Sequence, residues 1–185
     1  MNKSKLQTTI PYNLYVNPET LEMEKKEIFY KDWIMVGHES QVKNIGEFFT
    51  FDLVGEPLII TKNNENQLNA MYNICPHRGT IVERSDHGNK KILQCMYHEW
   101  TLHLDGKLNR APNFGTNELE ARNCLRPVQL DVYQSLIFIN LNPHAKPLAF
   151  YYDELKAEME KYPFLKSLQL VKSEKNYSCK LESNR

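Results

Sequence analysis

The chain has no excess of charge of either sign. Lys+Arg and Asp+Glu both number 23 among 185 residues, so the formal net charge is zero. Without a basic footprint there is no electrostatic surface for nucleic acid, and without a run of like charges there is no solvating tail. Long apolar runs are missing as well. Leu136-Ile137-Phe138-Ile139 is among the longest and is far too short to span a bilayer, and Met1 to Tyr15 lacks the apolar stretch of a signal peptide. Cysteine is scarce, four residues in all, two of them in short motifs with histidine, which leaves no disulfide framework. Internal repeats and low-complexity stretches are absent. These absences point to a soluble protein of a reducing cytoplasm, bound to neither nucleic acid nor membrane. The length suits one sizeable core, or a domain with part of another.

What is present divides the chain in three. Residues 1–33 read as an irregular arm and a helix: Asn17 is a good N-cap, Pro18 suits the first helical position, and Glu19 and Glu22 favour the positive end of the dipole. Leu21, Ile28 and Phe29 fall on one stripe, expected to pack against the next segment of the chain, and the charges from Glu22 to Lys31 read as its wet face. Residues 34–145 have the texture of short β segments. Phe49, Phe51 and Leu53 alternate with polar residues, Pro57-Leu58-Ile59-Ile60 is a brief apolar run, and Leu68, Ala70 and Tyr72 alternate again. Trp100, Leu102 and Leu104 share one strand face before Asp105-Gly106, a two-residue hairpin signal, and Leu136 to Leu141 is a further strand. A compact, mostly antiparallel β domain is expected. In residues 146–185, Pro147 opens a helix carrying Tyr151, Leu155, Met159 and Tyr162, and Tyr177, Cys179 and Leu181 alternate as a strand. That strand ends abruptly at Arg185, as though the chain were cut.

Two motifs carry the chemistry: Cys75-Pro76-His77 and Cys95-Met96-Tyr97-His98. Each comes directly after a predicted strand, Leu68 to Ile74 and Lys91 to Gln94, so neighbouring loops project two thiolates and two imidazoles toward one point. This donor set fits a [2Fe–2S] centre of the Rieske type, in which two histidines replace two cysteines on one iron. Cys2His2 is also a zinc set, but ordinary zinc fingers place both cysteines before both histidines. The alternating order here, with cationic and aromatic neighbours at Arg78, Tyr97 and Trp100, favours iron.

Asn73-Ile74-Cys75-Pro76-His77-Arg78-Gly79 and Cys95-Met96-Tyr97-His98-Glu99-Trp100, followed by Asp105-Gly106-Lys107-Leu108, resemble the Rieske portion of ring-hydroxylating-type oxygenase α subunits. The resemblance covers about Thr20 to Arg185. It implies that Cys75 and Cys95 bind one iron and His77 and His98 the other, that Gly79 permits the tight loop turn, and that Trp100 shields the cluster. Arg78 and Tyr97 are weaker candidates for tuning it. Glu99 departs from the family, which most often has glycine there; an effect on loop electrostatics is expected, with ligation untouched. Rieske proteins of respiratory complexes carry an extra cysteine in each loop, and these loops have none.

The family's second site, a mononuclear Fe(II) held by two histidines and a carboxylate, needs histidines beyond His144, the last in the chain. Glu182-Ser183-Asn184-Arg185 resembles the segment before that missing half. The resemblance therefore implies an N-terminal portion of an oxidoreductase, a mono- or dioxygenase, with residues 146–185 starting an absent catalytic domain. It would relay single electrons and not turn over alone. A reductase or ferredoxin would supply electrons drawn from NAD(P)H, and the full protein, a homotrimer, would use O2 to hydroxylate or demethylate an organic substrate. The alternative is a stand-alone Rieske-type ferredoxin, which could end shortly after Leu141. Elsewhere the plain readings apply: His87 at a loop tip, His38, His103 and His144 as surface or strand histidines, Cys124 and Cys179 as small buried side chains or inert thiols.

Overall fold

The computed structural model describes residues 10–112, 124–152, 156, 160–162 and 167–169. The cap at Asn17 forms as expected: its side chain accepts from the Glu19 N–H at 2.9 Å, and Pro18 opens α1 (Pro18–Glu24). A π-helical turn, Lys25–Phe29, continues it. The apolar stripe does not pack as anticipated. Leu21 and Ile28 are 46% and 44% exposed, and none of the residues of α1 or the π turn is buried.

Ten strands come next: β1 (Ile34–His38), β2 (Glu47–Leu53), β3 (Glu56–Lys62), β4 (Leu68–Tyr72), β5 (His87–Asn89), β6 (Leu93–Gln94), β7 (Thr101–Leu102), β8 (Leu108–Arg110), β9 (Pro127–Tyr133) and β10 (Leu136–Asn140). Seven form one antiparallel sheet in the order β1-β10-β9-β4-β3-β2-β5; β6, β7 and β8 form a second, smaller one. The mostly β, antiparallel expectation is correct.

The alternation in β2 is not that of a half-buried strand. Phe48 and Phe49 are both buried, and they enter different cores. Phe48 and Ile59 join Met71, Leu93, Trp100, Leu102, Leu104 and Leu125 in a core shared by both sheets, beneath the two motifs. Phe49, Leu58 and Ile60 face the other way, toward Val42, Ile137 and Ile139. A strand covered on both faces reads as a continuous apolar run, which is why Leu58-Ile59-Ile60 lacks alternation.

The small sheet is fastened to the large one at two points. The buried Thr61 hydroxyl donates to the Leu104 carbonyl at 2.5 Å. Gly106 lies so close to Met71 that a Cβ would sit 2.5 Å from the sulfur, and its φ of +85° is left-handed. The β7–β8 connection is wider than the expected two-residue turn: the His103 N–H bonds to the Lys107 carbonyl, enclosing Leu104, Asp105 and Gly106. His87 lies in edge strand β5, paired with Phe49, not at a loop tip. His38 ends β1 as a strand histidine and, at 8% exposed, is not a surface one. It caps the 3-10 turn Glu39–Val42, its Nδ1 accepting from the Ser40 N–H, while Gln41 accepts from the His38 N–H. Of the C-terminal helix, only 149–152 and 156 are seen as helical, and Leu155, Met159 and the Tyr177–Leu181 strand lie outside the described residues.

Candidate metal centre

The two motif loops have one backbone design. In the first, the Cys75 carbonyl accepts from the Gly79 N–H at 2.9 Å while the Cys75 N–H donates to the Thr80 carbonyl at 2.8 Å. In the second, the Cys95 carbonyl accepts from the Glu99 N–H at 3.0 Å, and the Cys95 N–H donates to the Trp100 carbonyl at 2.8 Å. The fifth position of each is left-handed, with φ of 71° at Gly79 and 58° at Glu99. The first loop springs from β4 and is closed by an Ile74–Ile81 bridge; the second joins β6 to β7. Strands of adjoining sheets thus hold the loops side by side over one core.

This brings like donors together. The Cys75 and Cys95 thiols, both buried, share a hydrogen bond. Burial pushes the Cys75 thiol up, and the Cys95 thiol adds to that, against the N–H groups of His77 and Arg78 that point at its sulfur. Once an electrophilic ion replaces the thiol protons, those N–H groups stabilise the thiolate. The imidazoles form the other pair: the His77 and His98 ring centres are 4.6 Å apart at 67°. Desolvation, the His98 ring and the Arg78 charge together hold the His77 pKa below its ordinary value, which favours the neutral ring a metal needs.

The buried Nδ1 of His98 has no hydrogen-bond partner. A buried ring nitrogen left without a bond is costly, and a metal ion supplies the missing partner. The donor set therefore fits a [2Fe–2S] cluster. Among the described residues, no three of His, Cys, Asp or Glu gather where a single ion would sit.

The surrounding aromatics differ in role. Trp100, 1% exposed, lies flat against His77, with ring centres 4.7 Å apart at 8°. A residue of the second loop thereby fixes the orientation of a donor in the first. Tyr97 leans on His98 at 4.0 Å but is 60% exposed, and Met96 beside it is 77% exposed. Arg78 and Glu99 are exposed too, so the histidine side of the loops reaches the surface. His103 and His144 are exposed, and Cys124 is half-buried; Cys179 lies outside the described residues.

Sequence reasoning missed the strut beneath the first loop. The Asn73 amide, just before Cys75, donates to the Glu83 carbonyl at 2.6 Å and accepts from the Glu83 N–H at 2.9 Å. The Glu83 carboxylate accepts from the N–H groups of Arg84 and Ser85 and pairs with Lys90. No sequence signal marks it, because Glu83 merely opens the polar run Glu83-Arg84-Ser85-Asp86.

A thiol pair and an imidazole pair on twin loops over an antiparallel β core define an iron–sulfur protein of Rieske architecture. A model of the Rieske [2Fe–2S] domain matches residues 32–133, and the chain belongs to that family. Its relatives are oxygenase subunits. It is 34% identical over 143 residues to the carnitine monooxygenase oxygenase subunit of Escherichia coli (strain K12), covering 74% of this chain and 37% of that protein. It is 30% identical over 139 residues to the anthranilate 1,2-dioxygenase large subunit of Acinetobacter baylyi, covering 74% and 30% respectively. A solved quaternary ammonium Rieske monooxygenase, described in terms of carnitine oxidation and inter-subunit electron transfer, superposes with a TM-score of 0.72 at 32% identity, covering 83% of this chain and 42% of that one. The chain thus spans between 30% and 42% of the length of these three proteins.

Proposed function

We propose that Cys75 and Cys95 hold one iron of a Rieske [2Fe–2S] cluster and His77 and His98 the other. In this reading the chain is the electron-relay portion of an oxygenase α subunit. The observation that carries it is the pairing itself: thiol against thiol, and imidazole against imidazole at 4.6 Å. When bound, the cluster accepts and releases single electrons near the potentials that imidazole ligation allows. Cys75 and Cys95 anchor it in the core, and the N–H groups of His77 and Arg78 steady the Cys75 sulfur. Trp100 keeps water from the inner side and holds the His77 ring in place. His77 and His98 bring the electron toward the exposed rim.

Residues 34–145 form the Rieske domain in this proposal, 1–33 an arm and helix, and 146–185 the beginning of the catalytic portion. Oxygenation would take place at a mononuclear iron in the part of the relatives' length that this chain does not span. A reductase or ferredoxin would supply electrons. A homotrimer would let an electron cross between subunits, in keeping with the inter-subunit transfer named for the solved monooxygenase. No helix among the described residues is long and apolar enough to cross a membrane. Four cysteines, two of them ligands in this reading, suit a reducing cytoplasm. The names of the carnitine and anthranilate oxygenase relatives support a quaternary ammonium or an aromatic acid as the substrate, to be hydroxylated or demethylated with O2.

The test is electron resonance of the dithionite-reduced protein. The parent is expected to show a Rieske signal, and His77→Ala and His98→Ala to lose it while remaining folded by circular dichroism. A signal that survives either change refutes the ligand assignment.

A further inference from the structure

We propose that Arg78 and Glu99 are an opposed pair of potential-setting residues, one beside each histidine donor. The twin loops make the pair visible. Arg78 directly follows His77, Glu99 directly follows His98, and both are exposed at the rim where the imidazoles emerge. They therefore set a positive and a negative charge next to the two side chains proposed to bind the reducible iron.

Glu99 occupies its place against the backbone's preference. At φ 58° it takes the left-handed position that the first loop gives to glycine, Gly79 at 71°, with the same hydrogen bond from its N–H to the cysteine carbonyl. A side chain there is strained. The other non-glycine residues with positive φ, Val54, Asn66, Gln134 and Ser135, also lie between successive strands, but away from the two motif loops. Glu99 alone among them stands in a donor loop. Its carboxylate makes no ion pair that would account for it among the described residues. A strained residue kept at a site points to a role there.

Electrostatics supplies the role. Reduction brings one electron from an external donor, makes no bond and breaks none, and leaves the site one unit more negative. A nearby guanidinium favours that change, and a nearby carboxylate opposes it. Arg78 raises the potential and Glu99 lowers it, so their balance fixes which donors can reduce the cluster.

The proposal rests on the ligand assignment above, and the experiment separates the two. Redox titration of the cluster-loaded chain, monitored by electron resonance at constant pH and low salt, compares the parent with R78Q, E99Q, E99G and R78Q/E99Q. E99Q is expected to shift the potential upward and R78Q downward, with the double variant near the parent. E99G is expected to match E99Q in potential while melting higher, because glycine relieves the backbone. Both single shifts should shrink with added salt. Rieske signals at an unchanged potential in both E99Q and R78Q, or shifts of the same sign, overturn the proposal. A parent without any Rieske signal overturns the ligand assignment instead.

Discussion

Glu83 does for the first donor loop what a ligand cannot do for itself. The residue is 5% exposed, and its carboxylate is satisfied by two backbone N–H groups and by Lys90. Burial alone would raise its pKa, but the Lys90 hydrogen bond and the Ser85 N–H outweigh it and hold the group below its ordinary 4.5. A depressed carboxylate adds stability above its unfolded pKa, and that stability disappears as pH falls through the lower folded value. Acid unfolding should therefore steepen below pH 4.5, and Glu83→Gln should flatten that limb. The same change should cost about 1–3 kcal/mol at neutral pH, because buried donors lose a charged acceptor. Chemical denaturation across pH measures both. Nothing in the sequence announced the strut, since its partner Asn73 becomes a neighbour only through the fold. The donors themselves were legible, because Cys75, His77, Cys95 and His98 lie in two short segments whose spacing is itself the signal.

At the scale of elements, the small sheet and the large one must stay in register for the donors to face each other. Gly106→Ala would put a methyl group against the buried Met71 and a side chain at φ +85°. A loss of about 1–2 kcal/mol for the left-handed conformation alone, before any clash, is expected. In a chain of this size that lowers the melting temperature by roughly 2–4 °C per kcal/mol. Thr61→Val should cost about 1–3 kcal/mol by leaving the Leu104 carbonyl unsatisfied. At the other end, the Tyr152 ring stacks on Tyr133 at 4.6 Å and meets Phe138 at 5.6 Å. Burial, then the neighbouring Tyr133 and Asp131, push its phenol up to about 12. The folded state holds that proton more tightly than the unfolded one, so stability is complete below pH 10 and lost as pH rises toward 12. Tyr152→Phe should remove this alkaline dependence. The α1 cap was readable because Asn17 and Pro18 act locally. The burial of β2 was not, because alternation cannot reveal that both faces are covered.

At the scale of the whole molecule, two surfaces stand out. One is the histidine rim with Met96 and Tyr97, and the other is the arm and α1, where Tyr12, Tyr15, Val16 and Met23 are 83%, 72%, 74% and 64% exposed. The sequence showed an apolar stripe on that helix but not whether anything would cover it. Supplied with a reductase and O2, the chain by itself is expected to accept electrons and oxidise no carnitine or anthranilate; product formation would place oxygenation within these residues. The central claim is narrower: one iron on Cys75 and Cys95, the other on His77 and His98. Mössbauer spectroscopy of the oxidised, 57Fe-reconstituted protein tests it most directly. Two quadrupole doublets of equal area and different isomer shift are predicted, one from thiolate-bound and one from imidazole-bound iron. A single doublet, the mark of two equivalent irons, would contradict it.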